Sequence, residues 1–491
     1  MVTFLASISL LVLGYIFYGR FMDRFFGMDP GRVTPAISVN DGIDYVPLPP
    51  WKIFMIQFLN IAGLGPIFGA ILGAMYGPVA YIWIVLGAIF MGGVHDYFSG
   101  MLSIRMNGAS LPEIVGKYLG NTSRIFLRIF TLLLLIFVGV AFVTGPAKLL
   151  QTMTTLDIRI WLYLIFGYYL LATLLPINKI IGRIYPIFGI SLLVMALGIG
   201  GSMLIRHFGG SLEMQEVTRA SFTNLHAEPG SNILFPMLFI IISCGAISGF
   251  HATQSPMMAR CMKNEKQGRK IFYGAMISEG IVAIIWATAA MNYFGDVHGL
   301  NYTLTNPLRS DPSIIPDPAW VVNEICNTWL GRAGAVIAVI GVVACPVTSG
   351  DTAFRSARLT IADMLGIKQS TLRSRLYVSI PIFIVGFVLT FVLKDEFGRI
   401  WKFVGISNQS LATIVLWTAA MYMALKGKNH WFISLPATFL TVVCVTYLLV
   451  APNGSAGLSL PVAVGYIAGI ASGVATLVLF LVAVKRKRGL V

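Results

Sequence analysis

Residues 233–260 read ILFPMLFIIISCGAISGFHATQSPMMAR, a strongly apolar run that ends in two glycines and a group of polar side chains. The polar part contains Ser248, His251 and Gln254, and Arg260 closes it. If this run crosses a bilayer, its interrupted, polar end lies at or just below the membrane surface, where freed backbone groups need partners. The first question is therefore whether the chain crosses a membrane.

The composition places this chain in a membrane. Hydrophobic residues make up 57% of its 491 residues and charged residues only 11%, whereas soluble proteins carry about 25% charged residues. Apolar runs of about 20 residues recur along the chain, the length that crosses a hydrocarbon core of about 30 Å. The net charge is +15, and the basic residues lie in short loops between these runs. This placement is typical of residues that set the orientation of membrane spans, so it does not indicate a nucleic-acid partner. We expect an all-α polytopic membrane protein.

About thirteen transmembrane helices are predicted from these runs. Their approximate limits are 2–19, 52–75, 78–99, 125–146, 160–176, 184–205, 232–255, 271–293, 332–353, 376–393, 400–425, 431–450 and 461–484.

The basic residues alternate between the two sides of the predicted bundle. Of the 35 Lys and Arg residues, 26 fall in one set of alternate connections, which includes 179–183, and 9 fall in the other, which includes 394–402. Connections rich in Lys and Arg stay on the cytoplasmic side of a membrane. We therefore expect the C-terminus in the cytoplasm and the N-terminus outside.

Two spans are interrupted by residues that oppose helix formation. Gly63 and Gly65 interrupt FLNIAGLGPIFGAILGAMYG (58–77), and Gly245 and Gly249 interrupt the opening stretch. Each glycine disfavours a helix by about 1 kcal/mol. In a bilayer the freed backbone groups persist only where protein or a water-lined cavity satisfies them. Two discontinuous helices are therefore expected.

The two interrupted spans lie five spans apart, and each begins a block of five. A block with an odd number of spans is inverted when it is repeated in tandem, as in many secondary transporters. The expected division is an extra N-terminal helix and loop (1–50), a first repeat (51–230), a second, inverted repeat (231–428), and two C-terminal helices with a basic tail (429–491).

The interrupted helices form the expected substrate site, because free helix ends can hold an anion. The predicted substrate-binding residues are Gln57, Asn60, Gly63, Gly65, Gly245, Ser248, Gly249 and His251.

Other groups at membrane depth are candidates for ion coupling and gating. A coupling cation, H⁺ or Na⁺, is expected at Ile61, Ala62, Thr348, Ser349, Asp351 and Glu279. The carbonyls of the first two and the hydroxyls of the next two suit a metal cation, and the carboxylates suit a proton. The predicted gate residues are His95, Asp96, Gln254 and Arg355.

Each ionisable group also has a purely structural interpretation. Asp351 and Arg355 are four residues apart on one helix and can neutralise each other. His95 and Asp96 can anchor a helix end at the interface, and Glu279 can pair with a neighbouring span.

No resident cofactor or metal is expected, since the spacing of His95, Asp96 and His251 is not diagnostic of a metal site. The absence of GxxxxGK[ST] argues against ATP hydrolysis, and the absence of HExxH and GxSxG argues against an enzyme.

Four motifs carry a family resemblance. They are GAISGFHATQSPMMARCMKNE (245–265), PVTSGDTAFRSARL (346–359), IAGLGPIFGAILGAMYGP (61–78) and GGVHDYFSGMLSIRMNGAS (92–110). Together they closely resemble the carbon starvation protein A family, and the likeness extends over most of the chain. The resemblance implies a bacterial inner-membrane transporter with a leucine-transporter-like fold, and a short member without the C-terminal extension of longer relatives.

The resemblance also implies the cargo, because family members are linked to pyruvate uptake by proton symport and to peptide uptake. We expect secondary active import of a small carboxylate such as pyruvate, by proton or sodium symport and alternating access. A peptide permease and a membrane receptor that senses a carbon source without transport remain alternatives. The sequence leaves the oligomeric state open.

Overall fold

A computed structural model describes residues 1–154, 156–174, 181–309, 312, 315–392 and 397–488. Every regular element in these ranges is helical, as lipid-exposed backbone requires. The helices of eight or more residues are, in chain order, α1 (Val2–Phe26), α2 (Pro50–Ile61), α3 (Gly65–Ala74), α4 (Val79–Arg105), α5 (Leu111–Leu119), α6 (Asn121–Met153), α7 (Ile158–Leu174), α8 (Ile181–Phe208), α9 (Leu234–Ile241), α10 (Gly249–Ala259), α11 (Glu265–Tyr293), α12 (Val297–Thr305), α13 (Pro318–Leu365), α14 (Leu372–Val392), α15 (Phe397–Leu425), α16 (Trp431–Val450) and α17 (Val462–Arg488).

The expected count of thirteen spans is not confirmed. Within the described residues nine helices are long and apolar enough to cross a membrane, or ten when the bent pair α2 and α3 is taken as one span. The predicted span 160–176 corresponds to α7, which has only 17 residues. The span 232–255 is divided between α9 and α10. Helix α13 is kinked at Gly331, where φ is +66°, and the predicted span 332–353 begins directly after this kink. The predicted connections 179–183 and 394–402 lie partly outside the described residues.

Most of the basic connections meet at one end of the helix bundle, which we call the basic end. Arg105 forms an ion pair with Glu265 at 3.0 Å, and Arg488 donates to the Ala424 carbonyl. At the opposite end the amino group of Met1 contacts Glu216. Met1 and Arg488 therefore lie at opposite ends of the bundle.

The two five-helix repeats run in opposite directions. Leu48, just before α2, donates its N–H to the Cys261 carbonyl, just after α10, at 3.1 Å. The first interrupted helix thus begins at the basic end, where the second one finishes. At the other end, the Asn301 side chain of α12 donates to the Met75 carbonyl at 2.9 Å, just beyond α3. The short helices α5 and α12 hold matching places in the two repeats, each before a long helix.

Both predicted interruptions are confirmed. Helix α2 ends at Ile61, Ala62 leaves the helical region with ψ of 40°, and α3 departs at an angle of 54°. Helix α9 ends before Ile242, and Gly245 takes a φ of +88°, a left-handed conformation that glycine adopts without strain. Ser248 is extended just before α10.

The two interruptions touch each other. A Cβ atom added to Gly65 would lie 2.0 Å from Cys244 Cβ and 2.3 Å from its sulfur. The Gly65 backbone can therefore approach Cys244 only because it carries no side chain.

A buried ion cluster closes the basic end. Asp44, in the segment between α1 and α2, lies 3.3 Å from Arg355 Nη1 and 3.2 Å from Arg358 Nη2. Burial raises the pKa of the Asp44 carboxyl, but Arg358, Arg355 and Arg260 outweigh it and hold that pKa below its ordinary value. The segment is thereby fastened to α13, and it covers the end of α10.

Replacing Gly65 with alanine tests the contact between the interruptions. Gly65→Ala should lower the thermal unfolding midpoint in detergent, because forcing an extra carbon into a packed site costs about 1–3 kcal/mol. Gly201→Ala is the matched control, since nothing lies within 4 Å of its added Cβ on α8. Its midpoint should be unchanged or slightly higher. A Gly65→Ala variant as stable as the control would contradict the close approach.

Removing the Asp44 charge should destabilise the protein strongly. Asp44→Asn leaves two buried arginines without their carboxylate, and breaking a buried pair in this way costs about 3–5 kcal/mol. Asp41→Asn is the control, because Asp41 is exposed and its oxygen accepts only backbone N–H groups. Thermal unfolding of both variants provides the measurement.

The pH dependence of the Asp44 effect has a defined sign. Because the folded-state pKa of Asp44 is depressed, its contribution is complete above the unfolded-state value of about 3.9 and is lost as the pH falls through the folded-state value. The stability gap between wild type and Asp44→Asn should therefore stay constant from about pH 7 to 5. A gap that closes within this range would overturn the assignment.

Candidate functional site

Four buried ionisable side chains meet beside the interruption between α9 and α10. His95 and Asp96 come from α4, His251 from the first turn of α10, and Glu279 from α11; each is fully buried. We call this group the acid–histidine cluster. The sequence singled out all four residues but assigned them to three separate roles.

The Asp96 carboxylate joins the two histidines. Its Oδ1 lies 2.7 Å from His95 Nδ1, and its Oδ2 lies 3.0 Å from His251 Nδ1. The other ring nitrogen of His251, Nε2, faces Glu279 and lies 3.5 Å from its Oε2. Either ring nitrogen of a histidine can carry the proton. His251 is thus held between two carboxylates.

Glu279 connects the cluster to the unwound backbone. Its Oε1 accepts the Gly245 N–H at 3.2 Å. This N–H lies in the unwound segment between α9 and α10, where no helical acceptor is available, and a buried backbone donor needs such a partner. The charge state of the carboxylate therefore bears directly on the segment that links α9 to α10.

The chemistry available to this cluster is proton binding and release. A histidine between two carboxylates changes the total charge when it takes up or gives off a proton, and the three groups titrate as a unit. Cys244 Sγ, a ring nitrogen of His251 and a Glu279 oxygen also lie within 4.8 Å of one another. Thiolate, imidazole and carboxylate together are donors that can hold a transition metal.

A second polar contact lies where the end of α2 crosses α13. The Ser349 hydroxyl donates to the Leu59 carbonyl at 3.1 Å, and the Cys345 thiol contacts the Ala62 carbonyl. Thr348 donates within its own helix, to the Cys345 carbonyl at 2.8 Å. Carbonyl and hydroxyl oxygens at such a crossing are hard ligands that suit Na⁺.

Asp351, the other predicted coupling carboxylate, lies at the contact between α13 and α8. The Tyr185 hydroxyl donates to its Oδ2 and lies 3.2 Å from the Thr348 carbonyl oxygen. Asp351 is fully buried. The structure thus separates the predicted coupling residues into three places: the acid–histidine cluster, the α2–α13 crossing and this α8–α13 contact.

Three predicted substrate residues carry buried polar atoms with no protein partner. Both amide atoms of Gln57 and Asn60 and the hydroxyl of Ser248 are of this kind. Buried polar groups are nearly always hydrogen-bonded, so each such group calls for an explanation. Gln57 and Asn60 lie in the last two turns of α2, and Ser248 directly precedes α10. They mark a place for a polar ligand at the two interruptions.

The predicted glycines have different roles. Added Cβ atoms would lie 2.8 Å from the Phe142 ring at Gly63 and 2.4 Å from the Asn408 carbonyl oxygen at Gly249. Gly63 and Gly249 thus permit close packing of α6 and α15 against the interruptions.

The other two predicted gate residues, Gln254 and Arg355, lie on the side of the acid–histidine cluster that faces the basic end. Gln254 donates to the Thr253 hydroxyl at 2.8 Å, and Arg355 belongs to the Asp44 ion cluster.

The sequence analysis did not identify four residues that contact the predicted site residues: Asp44, Leu59, Tyr185 and Cys345. Leu59 takes part through its carbonyl, so its side chain gave no signal, and Asp44 resembles any acidic loop residue.

Known proteins resemble this chain in sequence. The family described as Carbon starvation protein CstA matches residues 1–145, 129–301 and 319–447. An uncharacterized membrane protein of Haemophilus influenzae is 44% identical over 61% of this chain and 93% of its own. The peptide transporter CstA of Escherichia coli is 25% identical, over 89% and 79%. The pyruvate/proton symporter BtsT of Escherichia coli is 24% identical, over 90% and 80%.

Solved structures share the fold. A manganese transporter of Eremococcus coleocola superposes with a TM-score of 0.55 at 13% identity, over 91% of this chain and 99% of its own. A Na⁺-coupled sialic acid symporter superposes with a TM-score of 0.52 at 12% identity, over 97% of each chain. These likenesses support the leucine-transporter-like arrangement of two inverted repeats, each opening with a discontinuous helix. The family match along most of its length places this chain in the carbon starvation protein CstA family of membrane transporters.

Proposed function

We propose that this secondary transporter imports a small carboxylate of the pyruvate class together with a proton, by alternating access. The observation that carries the proposal is the acid–histidine cluster, whose Glu279 holds the unwound backbone of the second interrupted helix through Gly245. The match to a pyruvate/proton symporter supports the same cargo and the same coupling ion. We place the protein in a bacterial inner membrane with its basic end toward the cytoplasm.

The interruptions supply the elements of a carboxylate site. Helix α10 begins there, and the N–H groups of Gly249 and Phe250 precede its first N–H with a backbone acceptor, that of His251, which donates to Ser248. Such a helix N-terminus favours anions. At the start of α3, Pro66 has no N–H, and Ile67 and Phe68 donate to the Leu64 carbonyl.

The unpartnered amides of Gln57 and Asn60 and the Ser248 hydroxyl can donate to further oxygens. A small carboxylate can thus be bound by neutral donors, as discontinuous helices do in other transporters.

The proton acts on this site through Glu279. As a carboxylate, Glu279 forms a charge-assisted hydrogen bond with the Gly245 N–H, which is stronger than a neutral one. Protonation weakens that bond and alters the position of the unwound segment beside Ser248. Substrate and proton then influence each other's binding through one piece of backbone, and this coupling is reciprocal.

Helix α10 carries the change from the cluster to the basic end. It contains His251 in its first turn, and Arg260 follows its last residue. Arg260 donates to the Gly108 carbonyl at 2.8 Å and lies beside the segment that holds Asp44. In the proposed mechanism a small displacement of α10 is transmitted through Arg260 to the contacts at the basic end.

A peptide permease is the second candidate, because relatives at about a quarter identity are named peptide transporters. Sodium coupling is the corresponding alternative for the ion, through the Ser349 hydroxyl and the Leu59 and Ala62 carbonyls.

Uptake into proteoliposomes tests the cargo and the ion together. An inward proton gradient should drive accumulation of labelled pyruvate, and a sodium gradient alone should not. Unlabelled dipeptide in excess should not compete. Accumulation driven by sodium, or inhibition by dipeptide, would favour the alternatives, and saturable binding without flux would favour a receptor. A chelator should leave uptake unchanged; if it abolishes uptake, the cluster holds a metal.

Glu279→Gln should separate coupling from transport. The variant keeps a polar partner for the Gly245 N–H but cannot take up a proton, so proton-driven accumulation should fall at least about tenfold, or roughly 1.4 kcal/mol of coupling. Exchange of labelled for unlabelled pyruvate, which needs no net proton movement, should persist.

Three matched variants identify the coupling site. Asp157→Asn, at an exposed loop position, should behave as wild type. Ser349→Ala and Asp351→Asn remove the other predicted coupling groups. If accumulation is lost in Asp351→Asn but retained in Glu279→Gln, the proton is carried at the α8–α13 contact instead of the acid–histidine cluster.

A further inference from the structure

A groove on the outside of the bundle is lined by residues that take no part in the proposed transport site. It has a volume of about 690 Å³ and lies between the start of α6, the middle of α15 and the end of α17. Its walls are mostly apolar, with Phe126, Trp417 and Phe480 among them. Trp417 and Phe480 pack with ring centroids 5.1 Å apart and form its floor, because both are nearly buried.

The rim of the groove faces the bilayer. Phe126 and Leu479 on opposite rims are exposed by 56% and 68%. Helix α17 is the least buried of the candidate membrane spans, with 22% of its most apolar stretch buried. In a membrane these surfaces are covered by acyl chains. The apolar part of the groove alone would accept any lipid.

One end of the groove is strongly basic. Ala483 lines the groove, and the cluster Lys485, Arg486, Lys487 and Arg488 follows on the same helix. Lys487 Nζ donates to the Tyr118 carbonyl at 2.5 Å, which places this cluster against the end of α5. Arg488 donates to the Ala424 carbonyl. Neutral carbonyls satisfy hydrogen bonds but leave these positive charges uncompensated.

The same end holds the start of a long helix. Helix α6 begins at Asn121 without a side-chain cap, so its first N–H groups remain available, and Thr122 and Ser123 line the groove there. A helix N-terminus favours an anion. The acidic Glu113 nearby is already shared by Arg128 at 2.6 Å and Arg124 at 3.5 Å.

We propose that this groove binds one anionic phospholipid. An acyl chain lies along Phe126, Trp417 and Phe480, and the phosphate is bound by Lys487, the Ser123 hydroxyl and the first N–H groups of α6. The apolar walls and the basic end fit the two halves of this molecule, and basic pockets beside transmembrane helices are known to select anionic headgroups. The lipid would hold α17, which lies outside both repeats, against one helix from each of them.

Purified full-length protein in a neutral detergent tests the proposal. Phosphatidylglycerol in mixed micelles should raise the thermal unfolding midpoint, because a ligand that binds only the folded state stabilises it. Phosphatidylcholine with the same chains should not. Native mass spectrometry should show one retained phosphatidylglycerol. Equal stabilisation by the two lipids would overturn the headgroup assignment, and equal stabilisation by free glycerol 3-phosphate would remove the acyl groove from the proposal.

A pair of double variants separates local from general charge effects. R486Q/K487Q should weaken phosphatidylglycerol binding by about tenfold or more. K263Q/K266Q removes two exposed positive charges from the same end of the bundle, away from the groove, and should bind as wild type. Ala483→Phe, which narrows the groove and leaves all charges in place, should also lose the retained lipid. Equal affinity in R486Q/K487Q and K263Q/K266Q would overturn the site.

Discussion

A backbone N–H that leaves a helix inside a membrane must find another acceptor, and in this protein the Gly245 N–H finds the Glu279 carboxylate. The rest of the site is arranged around this bond. His251 faces the other oxygen of the same carboxylate, and Asp96 fixes the orientation of His251. Because burying several charges without partners would be very costly, the cluster is stable only as a connected set. Its proton content and the path of the unwound backbone are therefore linked.

Helix α10 connects the acid–histidine cluster to the basic end. Its first turn contains the titratable His251, and its last residue leads into Arg260 at the basic end. Asp44 binds Arg355 and Arg358 of α13, so the segment between α1 and α2 is fastened to α13. Packed interfaces of this kind switch between discrete arrangements and do not deform continuously. A change at the cluster can thus reach the end of the bundle without any long chain of side-chain contacts.

The sequence predicted the parts of this fold that depend on local chemistry. Gly63, Gly65 and Gly245 oppose a helix whatever surrounds them, so both interruptions were predictable and are confirmed. The contact between Asp96 and His251 was not, because these residues are 155 positions apart and no local pattern joins them. The count of thirteen spans is not confirmed, also because of what local sequence leaves out. An apolar run gives the length of a segment but not whether it forms one helix, and the structure divides the run at 232–255 into two short helices.

The two repeats satisfy their interruptions by different chemistry, and this difference argues for where coupling occurs. At the end of α2, the freed Leu59 and Ala62 carbonyls meet the hydroxyl of Ser349 and the thiol of Cys345. These partners are neutral, and their contacts do not depend on proton uptake.

At the end of α9 the Phe239 and Ile242 carbonyls also have neutral partners, the side chains of Gln409 and Trp83. The unwound segment that follows differs, because its Gly245 N–H has a carboxylate as partner.

Among these contacts, the one between Gly245 and Glu279 changes strength when a proton binds, since a carboxylate accepts a charge-assisted hydrogen bond and a carboxylic acid does not. The two interruptions are therefore related by symmetry, but only the second has a contact whose strength depends on protonation. The proposed proton coupling needs a contact that responds in this way, because a ligand shifts an equilibrium only by its differential affinity for the two states.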